Sequence, residues 1–73
     1  MNALDIQLLA AHDADDTAAL IVLYTQAADQ SRDIDATCFY LTHAYVFALE
    51  QGSPMAEVLR ARLISHGREP AAD

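Results

Sequence analysis

The stretch from Ile34 to Gln51 reads IDATCFYLTHAYVFALEQ and is followed directly by Gly52-Ser53-Pro54. Apolar residues occur nearly all the way around a helix drawn through it, and a helix that is apolar on every side is buried on every side. Glycine is favoured just after a helix, and serine then proline at the start of the next one. The sequence therefore predicts a helix over residues 34–51 that is either central in the fold or faces a second subunit. Gly52 stops it, and a further helix begins at Ser53-Pro54.

Three further helices are predicted around this one, over about residues 3–11, 16–31 and 54–66. Each has apolar residues three or four apart, as one buried helical face requires. No segment alternates between apolar and polar residues as a half-buried strand does. The predicted fold class is all-α, a small bundle of four helices in one domain over residues 1–67, with a flexible tail over 68–73. The predicted buried faces contain Leu4, Leu8 and Ala11, then Leu20, Leu23, Tyr24 and Ala27, and finally Met55, Val58, Leu59 and Leu63.

The chain has 73 residues, a net charge of −7 and no lysine. Nucleic-acid binding depends on neutralising phosphates with Lys and Arg, so this balance argues against a nucleic-acid partner. Much of the acidity has a structural explanation, because aspartates precede two of the apolar runs and carboxylates stabilise helix N-termini. The aspartates expected to act in this way are Asp13, Asp15, Asp16, Asp33 and Asp35.

Cysteine content and hydropathy suggest a location. Cys38 is the single cysteine, which excludes an internal disulfide and fits a reducing compartment, so a cytoplasmic location is predicted. The longest charge-free window, residues 36–49, is shorter than the roughly 20 residues that cross a bilayer, so no membrane segment is predicted. The first residues lack the basic region of a signal peptide. Small domains often need an additional source of stability, and a second copy of the chain would supply it.

A spaced set of residues runs through the last three predicted helices: Leu20, Tyr24 and Ala27, then Cys38, Leu41, Thr42 and Tyr45, then Val58 and Ala61. Over about residues 20–61 this set resembles a tetratricopeptide-type helical repeat. The chain departs from that family with Cys38 in place of Trp, Thr42 in place of Gly, and a turn at residues 52–54 that comes about three residues late. The resemblance implies antiparallel helical hairpins in which the first helix of each pair lines a groove for partner peptides. The groove-facing positions are Ala36, Phe39, His43, Val46 and Phe47.

The residues alone select nearly the same surface. Phe39, His43 and Phe47 share one face of the third helix at four-residue spacing, with Tyr40 beside them, and this face is separate from the core stripe through Leu41. Two phenyl rings on either side of a histidine need a cover. Three covers remain open: the chain's own first helix, a second copy of the chain, or another protein.

No residue pattern indicates an enzyme, a cofactor or a metal site. No two histidines are three or four residues apart on a helix, and the paired cysteines of a zinc site are absent. Cys38 lies on the predicted core stripe, where a thiol behaves as a small apolar group rather than as a nucleophile.

The predicted function is therefore a non-enzymatic protein-interaction module or a small self-associating subunit, with a homodimer favoured. The residues expected to form the interface are Phe39, Tyr40, His43, Val46 and Phe47. The alternative is a small protein that binds an apolar ligand within the helical bundle, where Tyr24, Tyr45 or His43 provides the polar contact.

Overall fold

The computed structural model describes residues 2–68 and contains four α-helices: α1 (Ala3–Asp13), α2 (Thr17–Gln30), α3 (Ile34–Gln51) and α4 (Met55–Ser65). No strand occurs within this range. The predicted all-α fold of four helices is confirmed, and α3 has the predicted bounds. The other helices differ from the predicted ranges by one or two residues at an end. Most of the predicted tail, residues 69–73, lies outside the described residues.

Short polar side chains cap the first three helices, and Asn2 caps α1 by accepting from the Asp5 N–H at 2.8 Å. The carboxylates of Asp16 and Asp33 each accept a hydrogen bond from the backbone N–H three residues later, at 3.1 and 3.3 Å. In the turn before α4, whose N-cap is Pro54, the Ser53 hydroxyl accepts from the Met55 N–H at 3.1 Å. Two aspartates expected to stabilise the start of α2 do not cap it, because α1 extends past its apolar stripe. Asp13 is the last residue of α1, and Asp15 lies in the following turn with φ 52°.

Gly52 ends α3 as predicted. Its φ of 64° and ψ of 31° lie in the left-handed region, where glycine has no side chain to clash with the backbone. The N–H groups of Gly52 and Ser53 then donate to carbonyls in the last turn of α3, at 3.1 and 2.9 Å. The backbone therefore turns sharply enough for α4 to pack against α3.

The helices are arranged in chain order. The backbone of α1 packs on α2, α2 packs on α3, and α3 packs on α4, and no other pair of the described helices is in backbone contact. The bundle measures 32 × 28 × 15 Å, so it is much thinner in one direction than in the other two. As a result, α3 is the central element between α2 and α4, while α1 lies at the edge and has one backbone neighbour.

The hydrophobic core lies between α2, α3 and α4. Leu41, Leu59 and Leu63 are its largest fully buried side chains. In the part of the chain that the structure describes, every buried side-chain nitrogen or oxygen has a hydrogen-bond partner. From α1, only Ala11 is buried, and it lies outside the main cluster. The main cluster consists of Ile21, Ala28, Cys38, Leu41, Ala44, Ala48, Leu59 and Leu63.

α3 is the central element as predicted, but within residues 2–68 it is not buried on every side. Phe39, Val46 and Leu49 expose 57%, 45% and 55% of their surface, because α2 and α4 cover only part of the circumference of α3. Val58 was also expected in the core but is half exposed, since it lies on a side of α4 that α3 does not cover. No helix within residues 2–68 combines the length and the apolar character needed to cross a bilayer.

Candidate interaction site

Six aromatic side chains from three helices form one contiguous group, here called the aromatic cluster. Tyr24 is at its centre: its ring centroid lies 5.1 Å from that of His43, 5.9 Å from Phe47 and 6.2 Å from Tyr40. The antiparallel pairing of α2 with α3 brings the middle of α2 level with the middle of α3, which explains the position of Tyr24. The members are His12 from α1, Tyr24 from α2, and Phe39, Tyr40, His43 and Phe47 from α3.

His43 has a defined orientation within the cluster. Its Nδ1 lies 3.0 Å from the Phe39 carbonyl oxygen, and because a carbonyl can only accept, Nδ1 carries the donating proton. In the neutral ring Nε2 is therefore left as a hydrogen-bond acceptor. The Phe39 ring packs on the same imidazole with centroids 4.4 Å apart. Both rings are thus held in place without any contact from outside the chain.

His12 links α1 to the cluster. Its Nε2 is 2.9 Å from the Tyr24 hydroxyl, and its ring centroid is 6.1 Å from that of Phe47. The first helix therefore covers the Phe47 end of the predicted face and leaves the Phe39 end open. The cover provided by the chain itself is partial, because α1 packs its backbone only on α2.

An exposed apolar surface continues outward from the cluster. Val46 lies beside His43 and Phe47 on α3, and the three line one shallow groove together with Thr42. Leu9 is one turn before His12 on α1 and is also exposed. We call Leu9, Phe39, His43, Val46 and Phe47 the apolar patch. It is presented by α1 and α3, and Tyr24 of α2 packs beneath His43 and Phe47.

Two ion pairs lie on the surface of the bundle within residues 2–68. Arg62 of α4 pairs with Asp29 of α2 at 2.6 Å, and Arg68 pairs with Asp35 at the start of α3. The hydrogen bond to Asp35, and then the charge of that carboxylate, raise the pKa of Arg68. Exposed pairs of this kind add little to stability. Their consequence here is that Arg68, which lines a groove with Phe39 and His43, is already engaged by a carboxylate.

The surface also has grooves that are relevant to a small ligand. One of about 240 Å³ lies between α1 and α3, where Asp5 and Leu8 face Tyr40 across the surface of α2. A wider groove of about 520 Å³ runs along the outer side of α3 beside Phe39 and Arg68. These grooves open to solvent rather than into the bundle interior. Among residues 2–68, no three His, Cys, Asp or Glu side chains come together to form a metal site.

Four of the five predicted interface residues, Phe39, Tyr40, His43 and Phe47, are in contact within the aromatic cluster, and the fifth, Val46, borders it. Sequence reasoning did not include His12 in the site. Tyr24 belongs to the predicted buried face of the second helix, and in the alternative function it is a ligand contact. A signal was present for His12, because a stack of hairpins places the first and third helices side by side.

Burial raises the pKa of Tyr24, and the neighbouring Tyr40 raises it further. The folded chain therefore resists ionisation of this phenol more than the unfolded chain does. We expect the resulting stability to be complete below the ordinary tyrosine pKa of about 10 and to be lost as the pH rises from there toward the raised value. Urea unfolding between pH 8 and 11 measures this. Tyr24→Phe should reduce this loss of stability with pH, whereas Tyr45→Phe, outside the cluster, should leave it unchanged. Equal losses in both variants would show that Tyr24 is not its source.

Comparisons of the chain with protein-family models, with curated proteins and with solved structures give no match. Function is therefore inferred from the aromatic cluster and the surface around it.

Proposed function

We propose that this chain is a non-enzymatic helical interaction module that binds another protein through the apolar patch. The observation that carries the proposal is the exposure of Phe39 and Val46, at 57% and 45%, on the side of α3 that its neighbours leave uncovered. Exposed apolar side chains that are contiguous, rather than scattered singly, are typical of binding surfaces. Aromatic anchors also dominate the energy of many interfaces.

The packing beneath the patch supports a binding role. Phe39 rests on the His43 ring, and His43 rests on the Tyr24 ring, so the exposed residues are held by a second layer of aromatic side chains. Side chains that are fixed before binding lose less conformational entropy when a partner arrives. The patch is therefore suited to bind a partner well through a small contact area.

The arrangement of the helices supports hairpins like those of tetratricopeptide repeats. His12 of α1 contacts Phe47 of α3, 35 residues later, and Asp5 and Tyr40, also 35 apart, line the same groove. The two helices therefore run in the same direction with a spacing close to the roughly 34 residues of that repeat. In this arrangement α1 and α3 are equivalent helices and together present one surface.

A non-enzymatic role in a reducing compartment is supported by Cys38. The single thiol is 4% exposed and belongs to the core cluster, where it packs as a small apolar group. A cytoplasmic location is proposed on the same ground.

The proposal is tested by comparing three forms of the chain: unmodified, Phe39→Ser with Val46→Ser, and Val22→Ser with Ile64→Ser. The first pair removes the patch, and the second removes two other exposed apolar residues, from α2 and α4. We expect affinity capture with quantitative mass spectrometry to retain a set of proteins on the unmodified and control forms and to lose it from the patch variant. Loss of an interface anchor commonly costs about 2 kcal/mol or more, or roughly 30-fold in affinity.

Circular dichroism should show the same helicity for all three forms, because the changed residues are exposed. Identical captured proteins for all three would contradict the proposal. Light scattering over a concentration range measures the predicted homodimer in the same samples, and a dimer lost only in the patch variant would identify a second copy as the bound protein.

A further inference from the structure

Two carboxylates lie at helix C-termini, where their negative charge destabilises the helices that carry them. Asp13 is the last residue of α1, and Glu50 lies in the last turn of α3. Negative charge is unfavourable there, because the helix macrodipole already places partial negative charge at the C-terminus. Asp16 and Asp33, by contrast, cap helix N-termini. Helix capping therefore accounts for those two aspartates and not for Asp13 or Glu50.

Asp13 and Glu50 lie at the same end of the apolar patch. Because α1 and α3 run in the same direction and His12 contacts Phe47, both C-termini come together beside Val46 and Phe47. Both carboxylates are exposed, and neither forms an ion pair within residues 2–68.

The other end of the patch is different. There Asp35 lies at the start of α3, where the macrodipole is positive, and it is paired with Arg68. The patch is therefore apolar in the middle, negative at the α3 C-terminal end and close to neutral at the α3 N-terminal end. The distance from residue 35 to residue 50 of a helix is about 22 Å.

We infer that the partner is a protein segment with apolar side chains along its length and a group of Lys or Arg residues at one end, which lies along α3 with its basic end beside Asp13 and Glu50. This inference rests on the proposed interaction role and adds the chemistry of the partner. Complementary charge at the rim of an apolar contact determines orientation and speeds association.

A second copy of the chain fits this surface less well. Each copy carries a net charge of −7, and the arginine that borders the patch is already paired with Asp35. Two copies associating through the patch would bring little positive charge to four unpaired carboxylates, a pair from each copy. The charges thus favour a basic partner over the homodimer that the sequence alone suggested.

The experiment uses a designed helical peptide of about fifteen residues, the length that spans the patch. It has a stripe of Leu and Phe and three arginines at one end; a matched peptide has three glutamates instead. Binding to the full chain is measured by fluorescence anisotropy at 50 and 500 mM NaCl. We expect the basic peptide to bind, and its affinity to fall about tenfold or more at the higher salt, because surface charges are then screened. The acidic peptide should not bind.

Two double variants test whether binding of the basic peptide depends on Asp13 and Glu50. Asp13→Asn with Glu50→Gln and Asp5→Asn with Glu57→Gln each change the net charge from −7 to −5. Only the first pair removes charge from the last turns of α1 and α3, the two helices that present the patch. We expect the first pair to weaken binding of the basic peptide about tenfold. The second pair should have less than about a third of that effect on the affinity. Phe39→Ser with Val46→Ser should also abolish binding.

Each alternative outcome is distinct. Equal loss in both double variants, or binding that survives Phe39→Ser with Val46→Ser, would mean general electrostatic attraction and would overturn the inference. No binding of the basic peptide, together with a dimer that requires Phe39 and Val46 and strengthens with salt, would overturn the inference and leave the proposed interaction role intact. No binding and no association would overturn the inference, and the capture experiment would then decide the proposed role.

Discussion

Replacing Leu41 with alanine is expected to remove a large part of the stability of this chain. Leu41 is fully buried in the middle of α3, between α2 and α4. Leucine-to-alanine changes in a packed core cost about 2–5 kcal/mol, because both burial and packing contacts are lost. A domain of 73 residues has in total only about 4–11 kcal/mol at typical values per residue. Urea unfolding followed by circular dichroism measures the loss.

Leu49→Ala is the matched control for Leu41→Ala. It is the same chemical change on the same helix, but Leu49 exposes 55% of its surface. We expect a change of about 0.5 kcal/mol or less, as is usual for surface positions. Similar losses in the two variants would show that α3 is covered on the Leu49 side as well, contrary to the structure.

Replacing Tyr24 with alanine is expected to have the second largest effect. Its ring contacts those of Tyr40, His43 and Phe47 on α3, and its hydroxyl is bonded to His12 on α1. We expect a loss of about 2–3 kcal/mol, somewhat below the value for a fully buried aromatic residue. The loss should be uneven, because α1 has few other anchors. Amide hydrogen exchange should show α1 losing its protection well before α2, α3 and α4.

Tyr24→Phe separates the ring from the hydroxyl in this experiment. It keeps the ring contacts and removes the hydrogen bond to His12, so it should cost only about 0.5–1.5 kcal/mol. If Tyr24→Ala left the protection of α1 unchanged relative to the other helices, the cluster would not be what holds α1 in place.

The sequence was sufficient for the features that depend on nearby residues. The bounds of α3 and the stop at Gly52 follow from local backbone preferences, and the caps at Asp16 and Asp33 follow from helix N-terminal chemistry. The sharing of one face by Phe39, His43 and Phe47 is likewise a matter of spacing within one helix. None of these features requires knowing how the helices pack.

Features that depend on packing were predicted less well. The predicted stripe of α2 contained Leu20 and Ala27 but not Ile21 and Ala28, which belong to the main core cluster. A helix with neighbours on two sides buries two stripes, and apolar spacing alone selects one. Val58 was placed in the core because its spacing fits a helical stripe, yet spacing does not say which side of α4 meets α3.

The predicted site was incomplete for the same reason, because local sequence does not say how the helices pack. His12 is not among the predicted site residues, since nothing in its local sequence places it against Phe47. The share of the aromatic face that α1 would cover was also open, because it depends on how far a helix with one backbone neighbour extends over α3.

The chain-order arrangement of the helices has a consequence for how the protein folds. Each helix backbone packs on the helix before or after it, so forming the bundle never requires the chain to close a loop much longer than one hairpin. The entropy cost of such short closures is small, and proteins with mainly local contacts fold within about microseconds to milliseconds. The edge helix α1 is expected to dock last on the way to the folded state. A protein bound across α1 and α3 would then slow the reverse step, the first opening of the bundle.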